Sequence, residues 1–148
     1  YPKSKFILNT RGILKWLKSI IKQIYFLYPK KSYDMWTKKY EKNKLKCIED
    51  WILERNNYYK KINKYFENKK DKLLILNIED SNKIKKLSNF LNINLIYNNH
   101  IYNNRNDILL NKKLQDHLKK EYENIYKVIN KLKINEKLYN SDGIIDFL

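Results

Sequence analysis

The run KFILNTRGILKWLKS, residues 5–19, decides how this chain is expected to fold. It opens with the apolar stretch Phe6-Ile7-Leu8, and a polar turn containing Arg11 and Gly12 follows. From Ile13 onward apolar residues recur at helical spacing. The run therefore predicts a buried strand over residues 5–9, a turn and then a helix. A strand that feeds a helix in this way places the turn at the carboxyl edge of an α/β sheet, where such folds bind ligands.

Two polar residues of this run, Arg11 and Ser19, are the candidate binding residues. A guanidinium at the edge of a sheet can hold a phosphate through paired hydrogen bonds. Ser19 comes eight positions after Arg11, about two turns along the predicted helix, so its hydroxyl can reach the same group. Each residue also has a simpler interpretation, Arg11 as a surface or structural arginine and Ser19 as a hydrated helix residue.

A second strand is predicted over residues 72–78. Its apolar centre, Leu73-Leu74-Ile75-Leu76, is bounded by polar residues, as in strands that are covered on both faces of a parallel sheet. A predicted helix over residues 44–66 precedes it, and parallel neighbours need a crossover of this kind. We therefore expect the two strands to be parallel members of one sheet, with helices packed against it.

Helices and loops are predicted for the rest of the chain. Ser81 is expected to cap a third helix, and a long amphipathic helix is predicted over residues 107–133. Residues 30–43 are expected to form a polar, aromatic connector, and residues 92–106 an Asn-rich loop. The apolar tail at residues 144–148 is expected to dock on a partner surface.

Composition restricts the classes of partner. The 148 residues hold 32 Lys+Arg and 16 Asp+Glu, a net charge of +16, and 43% of them are hydrophobic, which is enough for a core. Such a charge favours anionic partners such as nucleic acid, nucleotides, sulfated glycans or acidic membrane surfaces. Codon bias is an alternative cause, because alanine is absent, Val128 is the only valine, and Lys, Asn, Ile and Tyr have A- and T-rich codons.

Cysteine, histidine and hydropathy argue against several kinds of site. Cys47 is alone, so no internal disulfide is possible, and a reducing, cytoplasmic location is expected. No apolar run approaches the roughly 20 residues that span a bilayer, and no signal-peptide pattern is visible. His100 and His117 lack further ligands at metal-binding spacing, so no metal site is expected. The tryptophans are expected to pack in the core or the connector.

Two stretches of the chain resemble the P-loop sulfotransferases, which use 3′-phosphoadenosine 5′-phosphosulfate. Residues 5–19 resemble the family's strand-arginine-helix-serine element, and the spacing of eight between Arg11 and Ser19 is that of its 3′-phosphate site. Residues 50–91, DWILERNNYYKKINKYFENKKDKLLILNIEDSNKIKKLSNFL, are similar to a subgroup of these enzymes. In that subgroup a helix ending in Tyr-Phe precedes a Lys-Leu-Leu strand, an acidic turn and a helix closing in Phe-Leu. Glu79-Asp80 falls where the family has its strand-end Glu-Asp.

The resemblance implies a fold and an activity. It covers residues 1–107 and implies the C-terminal half of a sulfotransferase-like α/β domain, a partial P-loop-type three-layer fold with parallel strands flanked by helices. Residues 108–148 are then a helical extension of the same domain. The implied reaction transfers a sulfuryl group to a hydroxyl or amine of a glycan or small-molecule acceptor. Arg11 and Ser19 would bind the 3′-phosphate of the cofactor.

The chain departs from the family pattern at two points. Gly12 stands where relatives usually carry Asp or Asn followed by Pro, so the turn differs. The family's glycine-rich phosphate loop with its lysine is absent, and the usual catalytic base lies in the same missing half, so the catalytic residues are unknown. The chain also begins at Tyr1 and enters a strand almost at once. We therefore expect a fragment of a longer protein, inactive by itself.

Two further hypotheses remain open. A basic, non-enzymatic protein that binds nucleic acid or belongs to a large assembly would explain the charge but not the Arg11-to-Ser19 spacing. A degenerate fragment without activity would explain the absent loop. Under the enzyme hypothesis, nucleic-acid binding is expected to be incidental. Glu79 and Asp80 are expected to hold the sheet edge or cap the next helix rather than to act in catalysis.

Overall fold

A computed structural model describes residues 3–26, 34–95 and 112–134. These residues form a mixed structure of helices and strands in which helices predominate. The elements in chain order are strand β1 (Phe6–Thr10), helices α1 (Ile13–Phe26), α2 (Asp34–Lys42) and α3 (Lys44–Tyr65), a 3-10 turn (Lys70–Lys72), strand β2 (Leu73–Asn77), and helices α4 (Lys83–Leu91) and α5 (Lys112–Lys131).

The two strands pair in parallel, as the sequence predicts, but their expected burial is wrong. Only Leu8 and Thr10 of β1 and Leu76 of β2 are buried, because the main helical core lies beside the sheet and does not cover both of its faces. Phe6 lies opposite Leu73 and Thr10 lies opposite Asn77, and the strands begin and end within one residue of the predicted bounds. Within the described ranges the sheet has these two strands. Because both run in the same direction, the residues that follow Thr10 and Asn77 meet at one edge.

The main core is formed by helices and lies beside the sheet. Helix α5 packs against α1 and α3, α2 packs against α1 and α3, and α4 packs against β2. The buried core residues are Ile13, Leu17, Ile21 and Ile24 of α1, Tyr40 of α2, Cys47, Ile48, Trp51 and Ile52 of α3, Leu118, Ile125, Val128 and Ile129 of α5, and Ile134. A ring contact between Phe6 and Phe66, with centroids 5.1 Å apart, joins β1 to the end of α3.

Helix α2 lies within the polar, aromatic connector predicted over residues 30–43, where the sequence pattern places no helix. Nine of the connector's residues, Asp34–Lys42, are helical. Tyr40 is fully buried and its ring stacks on that of Trp51, with centroids 5.5 Å apart. The short polar segment becomes helical because burying one aromatic residue against α3 stabilises it, and intrinsic propensity does not reveal such a contact.

Local polar contacts set the beginnings of α3 and α4. The Asn43 side chain caps α3 by accepting the Lys46 backbone N–H at 3.1 Å. The predicted Ser81 cap of α4 is wrong, because the N-cap residue is Asn82 and no side-chain cap bond forms there. Asp80 shapes this turn instead, since its Oδ1 accepts the Asn82 backbone N–H at 2.8 Å.

Other predicted segments lie partly or wholly outside the described residues. The predicted helix over residues 107–133 is described from Lys112, and the predicted loop over residues 92–106 as far as residue 95. The apolar tail at residues 144–148 and His100 lie outside the described residues. Helix α3 continues without interruption through Asn56 and Asn57. No helix in the described ranges is both long enough and apolar enough to cross a membrane.

Candidate anion-binding site

Arg11 lies directly after β1 and contacts a residue that follows β2. Its Nε donates a hydrogen bond to Glu79 Oε1 at 3.2 Å, and Lys15 Nζ lies 3.3 Å from Glu79 Oε2. The carboxylate of Glu79 therefore sits between two cations at the carboxyl edge of the sheet. Parallel pairing brings these groups together, because it places the ends of β1 and β2 side by side.

The Arg11 guanidinium stays accessible in this arrangement. Its side chain is 36% exposed. The hydrogen bond to Glu79 uses Nε, and among the described residues the two terminal nitrogens have no hydrogen-bond acceptor. Glu79 thus orients the guanidinium and leaves its terminal N–H groups available to an anion, the geometry that a charged fork needs to grip a phosphate.

Ser19 shares a helix face with Lys15. The two are four residues apart on α1, so they are neighbours one turn apart. Ser19 is half-buried, and no described contact joins it to Arg11. The predicted site of Arg11 and Ser19 therefore gains a third residue, Lys15. Glu79 links Arg11 to Lys15, and Ser19 lies one helical turn beyond Lys15. Sequence reasoning missed Lys15, because the chain is rich in lysine and nothing local distinguishes this one.

Arg55 of α3 holds the turn that contains Arg11 and Gly12. Its Nη2 donates to the backbone carbonyl oxygen of Arg11 at 2.5 Å. The residue is buried, and its guanidinium lies 4.9 Å from the ring centroid of Trp16 and 4.8 Å from that of Tyr59. Burial lowers the pKa of Arg55 from its ordinary value, while the nearby Tyr59 hydroxyl acts in the opposite direction. The turn that presents Arg11 is thus held by a second arginine 44 residues away.

A compositional signal for Arg55 existed in the sequence. The chain contains three arginines, Arg11, Arg55 and Arg105, among its 32 basic residues. In a composition so biased towards lysine, an arginine on an apolar helix face marks a place where a planar guanidinium has a particular contact to make.

Asp80 belongs to the turn that leads into α4. It forms an ion pair with Lys86 and accepts the Asn82 backbone N–H. The Lys86 hydrogen bond is the main reason that the pKa of Asp80 lies below its ordinary value, and the Asn82 bond adds to it. Both strand-end carboxylates are therefore engaged, Glu79 with the cations of the candidate site and Asp80 with the start of the next helix.

The three tryptophans and His117 lie on helices α1, α2, α3 and α5. Trp51 is buried in the core and Trp16 packs against it, while Trp36 falls on α2. His117 of α5 packs edge-on against Tyr25, with ring centroids 4.6 Å apart. No group of three or more metal-ligating side chains occurs in the part of the chain that the structure describes.

A buried carboxylate, Glu121, joins three helices away from the sheet. Its oxygens accept hydrogen bonds from Tyr40 Oη at 2.7 Å and from Lys44 Nζ at 2.6 Å. His117 Nε2 lies 3.7 Å from Glu121 Oε1. Burial opposes ionisation of Glu121, but the bonds from Lys44 and Tyr40 outweigh it and hold the pKa of this carboxyl below its ordinary value. Burial and the bond to Glu121 raise the pKa of Tyr40, so its hydroxyl remains a donor.

Comparison with known proteins adds no relative. No family model, no curated protein and no solved structure matches this chain. The assignment of function therefore depends on the sequence run at residues 5–19 and on the geometry of the strand edge.

Proposed function

We propose that this chain is part of a sulfotransferase-like protein that uses 3′-phosphoadenosine 5′-phosphosulfate, with a P-loop-type three-layer fold. The supporting observation is the position of Arg11. It follows the first of two parallel strands, contacts Glu79 two residues beyond the end of the second strand, and precedes a helix that carries Ser19 eight positions after Arg11. This combination favours a phosphate-binding role for Arg11 over a purely structural one.

The 3′-phosphate would be held by three side chains on one side of the sheet edge. The terminal N–H groups of Arg11 supply the charge-assisted bonds, Lys15 adds a second positive charge, and Ser19 adds a neutral hydroxyl. Arg11 and Lys15 share a single carboxylate, Glu79, so the site keeps one net positive charge. A doubly charged phosphate is attracted to such a site, and the Glu79 contact spares Arg11 part of the entropy of ordering its side chain.

When bound, the cofactor would supply an activated sulfuryl group for an acceptor hydroxyl or amine, which gives up a proton, and adenosine 3′,5′-bisphosphate would be the leaving group. The residues of this chain bind and orient the nucleotide, a contribution made by positioning. Gly12 and Gly143 are the only glycines in the sequence, so these 148 residues hold no glycine-rich loop for the phosphosulfate end. We therefore expect weak nucleotide binding and no sulfuryl transfer from these 148 residues alone.

The experiment is calorimetric titration of adenosine 3′,5′-bisphosphate, with adenosine 5′-monophosphate as the ligand that lacks the 3′-phosphate. We expect the bisphosphate to bind more tightly. Arg11→Ala should weaken its binding by roughly 10- to 150-fold, because charge-assisted bonds contribute about 1.5–3 kcal/mol. Ser19→Ala should cost roughly fivefold, as expected for a neutral bond of about 1 kcal/mol.

Two further variants separate a specific site from general attraction to a basic protein. Arg11→Lys should rescue binding only in part, since a point charge cannot make the paired contact. Lys22→Ala removes an exposed charge from the same helix and should change the affinity little. Equal affinity of the wild type and Arg11→Ala for the bisphosphate would rule out the proposed 3′-phosphate site.

The second candidate function is a basic, non-enzymatic protein that binds nucleic acid or belongs to an assembly. The observation in its favour is the net charge of +16. It makes no use of the ordered contact between Arg11, Glu79 and Lys15. The two candidates differ in whether binding depends on particular residues or on ionic strength.

A further inference from the structure

We propose that the cleft between β1, α1 and α3 is a binding site for a small aromatic carboxylate, separate from the phosphate site described above. The proposal goes beyond the proposed function and does not depend on it. The cleft combines an apolar, aromatic lining with a buried arginine in its wall.

The cleft has a volume of about 680 Å³ and is walled mainly by aromatic and aliphatic side chains. Aromatic side chains come from Trp16 of α1 and from Trp51, Tyr58 and Tyr59 of α3, while Ile7 and Ile20 supply aliphatic surface. This volume lies within the range of sites that enclose small organic ligands. A mostly apolar wall with four aromatic rings favours a planar, unsaturated ligand body over a sugar or a bare phosphate.

Arg55 provides the polar element that such a site needs. The residue is 6% exposed and lines the cleft. Its Nη2 is bonded to the Arg11 carbonyl oxygen, but Nε and Nη1 are buried without a hydrogen-bond partner among the described residues. A buried donor without an acceptor is unfavourable, and more so when it is charged. A ligand carboxylate that reached these nitrogens would recover that cost.

The surroundings of Arg55 select the charge of the ligand. The rings of Trp16 and Tyr59 already lie over the guanidinium, so its unpaired N–H groups are the part still in need of a partner. Glu54 is exposed and also lines the cleft. The single buried guanidinium suits one negative charge, and the neighbouring Glu54 carboxylate disfavours a polyanion such as a nucleotide.

The test uses 2-naphthoate as the probe and 2-naphthamide as its neutral isostere, with tryptophan fluorescence and calorimetry as readouts at constant ionic strength. We expect 2-naphthoate to bind at least about tenfold more tightly than the amide, as one charge-assisted bond requires. Equal affinity for the two probes would overturn the proposal.

Matched variants locate the binding. Tyr58→Ala, at an exposed position in the cleft, should weaken 2-naphthoate binding about fivefold or more, because ring contacts contribute about 1 kcal/mol or more. Tyr65→Ala, at a similarly exposed position of the same helix that does not line the cleft, should have no effect. Equal responses of these two variants would also overturn the proposal.

Arg55→Lys and Arg55→Met test the charge directly. Lysine should keep part of the preference for the carboxylate and methionine should abolish it. If either variant fails to fold, the Tyr58/Tyr65 pair and the two probes still decide. Arg11→Ala should leave 2-naphthoate binding intact, so loss of the phosphate site and loss of this site give different patterns.

Discussion

Arg11 and Glu79 are 68 residues apart in sequence, yet Nε of the first and Oε1 of the second are 3.2 Å apart at the carboxyl edge of the β1–β2 pair. The contact orients the guanidinium and also places a negative charge beside the proposed phosphate site. These two effects act in opposite directions on anion affinity, and substitution of Glu79 separates them.

Glu79→Gln keeps an oxygen that can accept the Arg11 Nε–H but removes the charge. We expect affinity for adenosine 3′,5′-bisphosphate to rise about two- to fivefold, since a partly exposed charge contributes about 0.5–1 kcal/mol. Glu79→Ala should give a smaller gain, because it also frees the guanidinium. Calorimetry measures both, with Glu67→Gln, an exposed carboxylate after α3, as the control. Weaker binding by Glu79→Gln would contradict the assignment of Arg11 as the anion ligand.

The buried carboxylate of Glu121 should be important for stability. Glu121→Gln should lower the free energy of unfolding by about 1–3 kcal/mol. It weakens the hydrogen bonds that Tyr40 and Lys44 donate, and it removes the buried negative charge that the Lys44 ammonium group contacts. Glu123→Gln, at an exposed position of the same helix, should change it by less than about 0.5 kcal/mol. Urea unfolding followed by circular dichroism measures both, and equal effects would show that the Glu121 bonds contribute nothing net.

The same carboxylate should make stability depend on pH on the acid side. Its pKa in the folded protein is below the ordinary value of 4.5, so its contribution is complete above that pH. The contribution is lost as the pH falls through the lower, folded-state pKa. The difference in unfolding free energy between wild type and Glu121→Gln should therefore shrink as pH is lowered from about 7 to about 3. A difference that stays constant over this range would mean that Glu121 titrates alike in both states.

Binding to nucleic acid should be salt-sensitive and independent of sequence. With a net charge of +16, we expect duplexes of unrelated sequence to bind alike and affinity to fall about tenfold or more between about 50 and 200 mM salt. Fluorescence anisotropy with two duplexes of equal length measures this. Sequence-specific, nanomolar binding that survives high salt would instead favour the nucleic-acid-binding candidate over the enzyme.

The strand-turn-helix element and the parallel pair could be predicted because their signals are local. An apolar run bounded by polar residues, a glycine in the turn and helical spacing after it are properties of a few adjacent residues. The direction of pairing followed from the helices between the strands, since parallel neighbours need a crossover. Helix α2 lacked such a signal, because its formation depends on burying Tyr40 against Trp51.

The sequence by itself determined the strands, most of the helices and the candidacy of Arg11 and Ser19. Only the tertiary structure decided which charges surround Arg11, because Glu79 and Arg55 approach it across 68 and 44 residues. The same holds for Glu121, whose partner Tyr40 is 81 residues away. Among many similar lysines, tyrosines and acidic residues, local pattern does not show which pairs will meet. Burial and strand pairing select them, and these are properties of the folded chain as a whole.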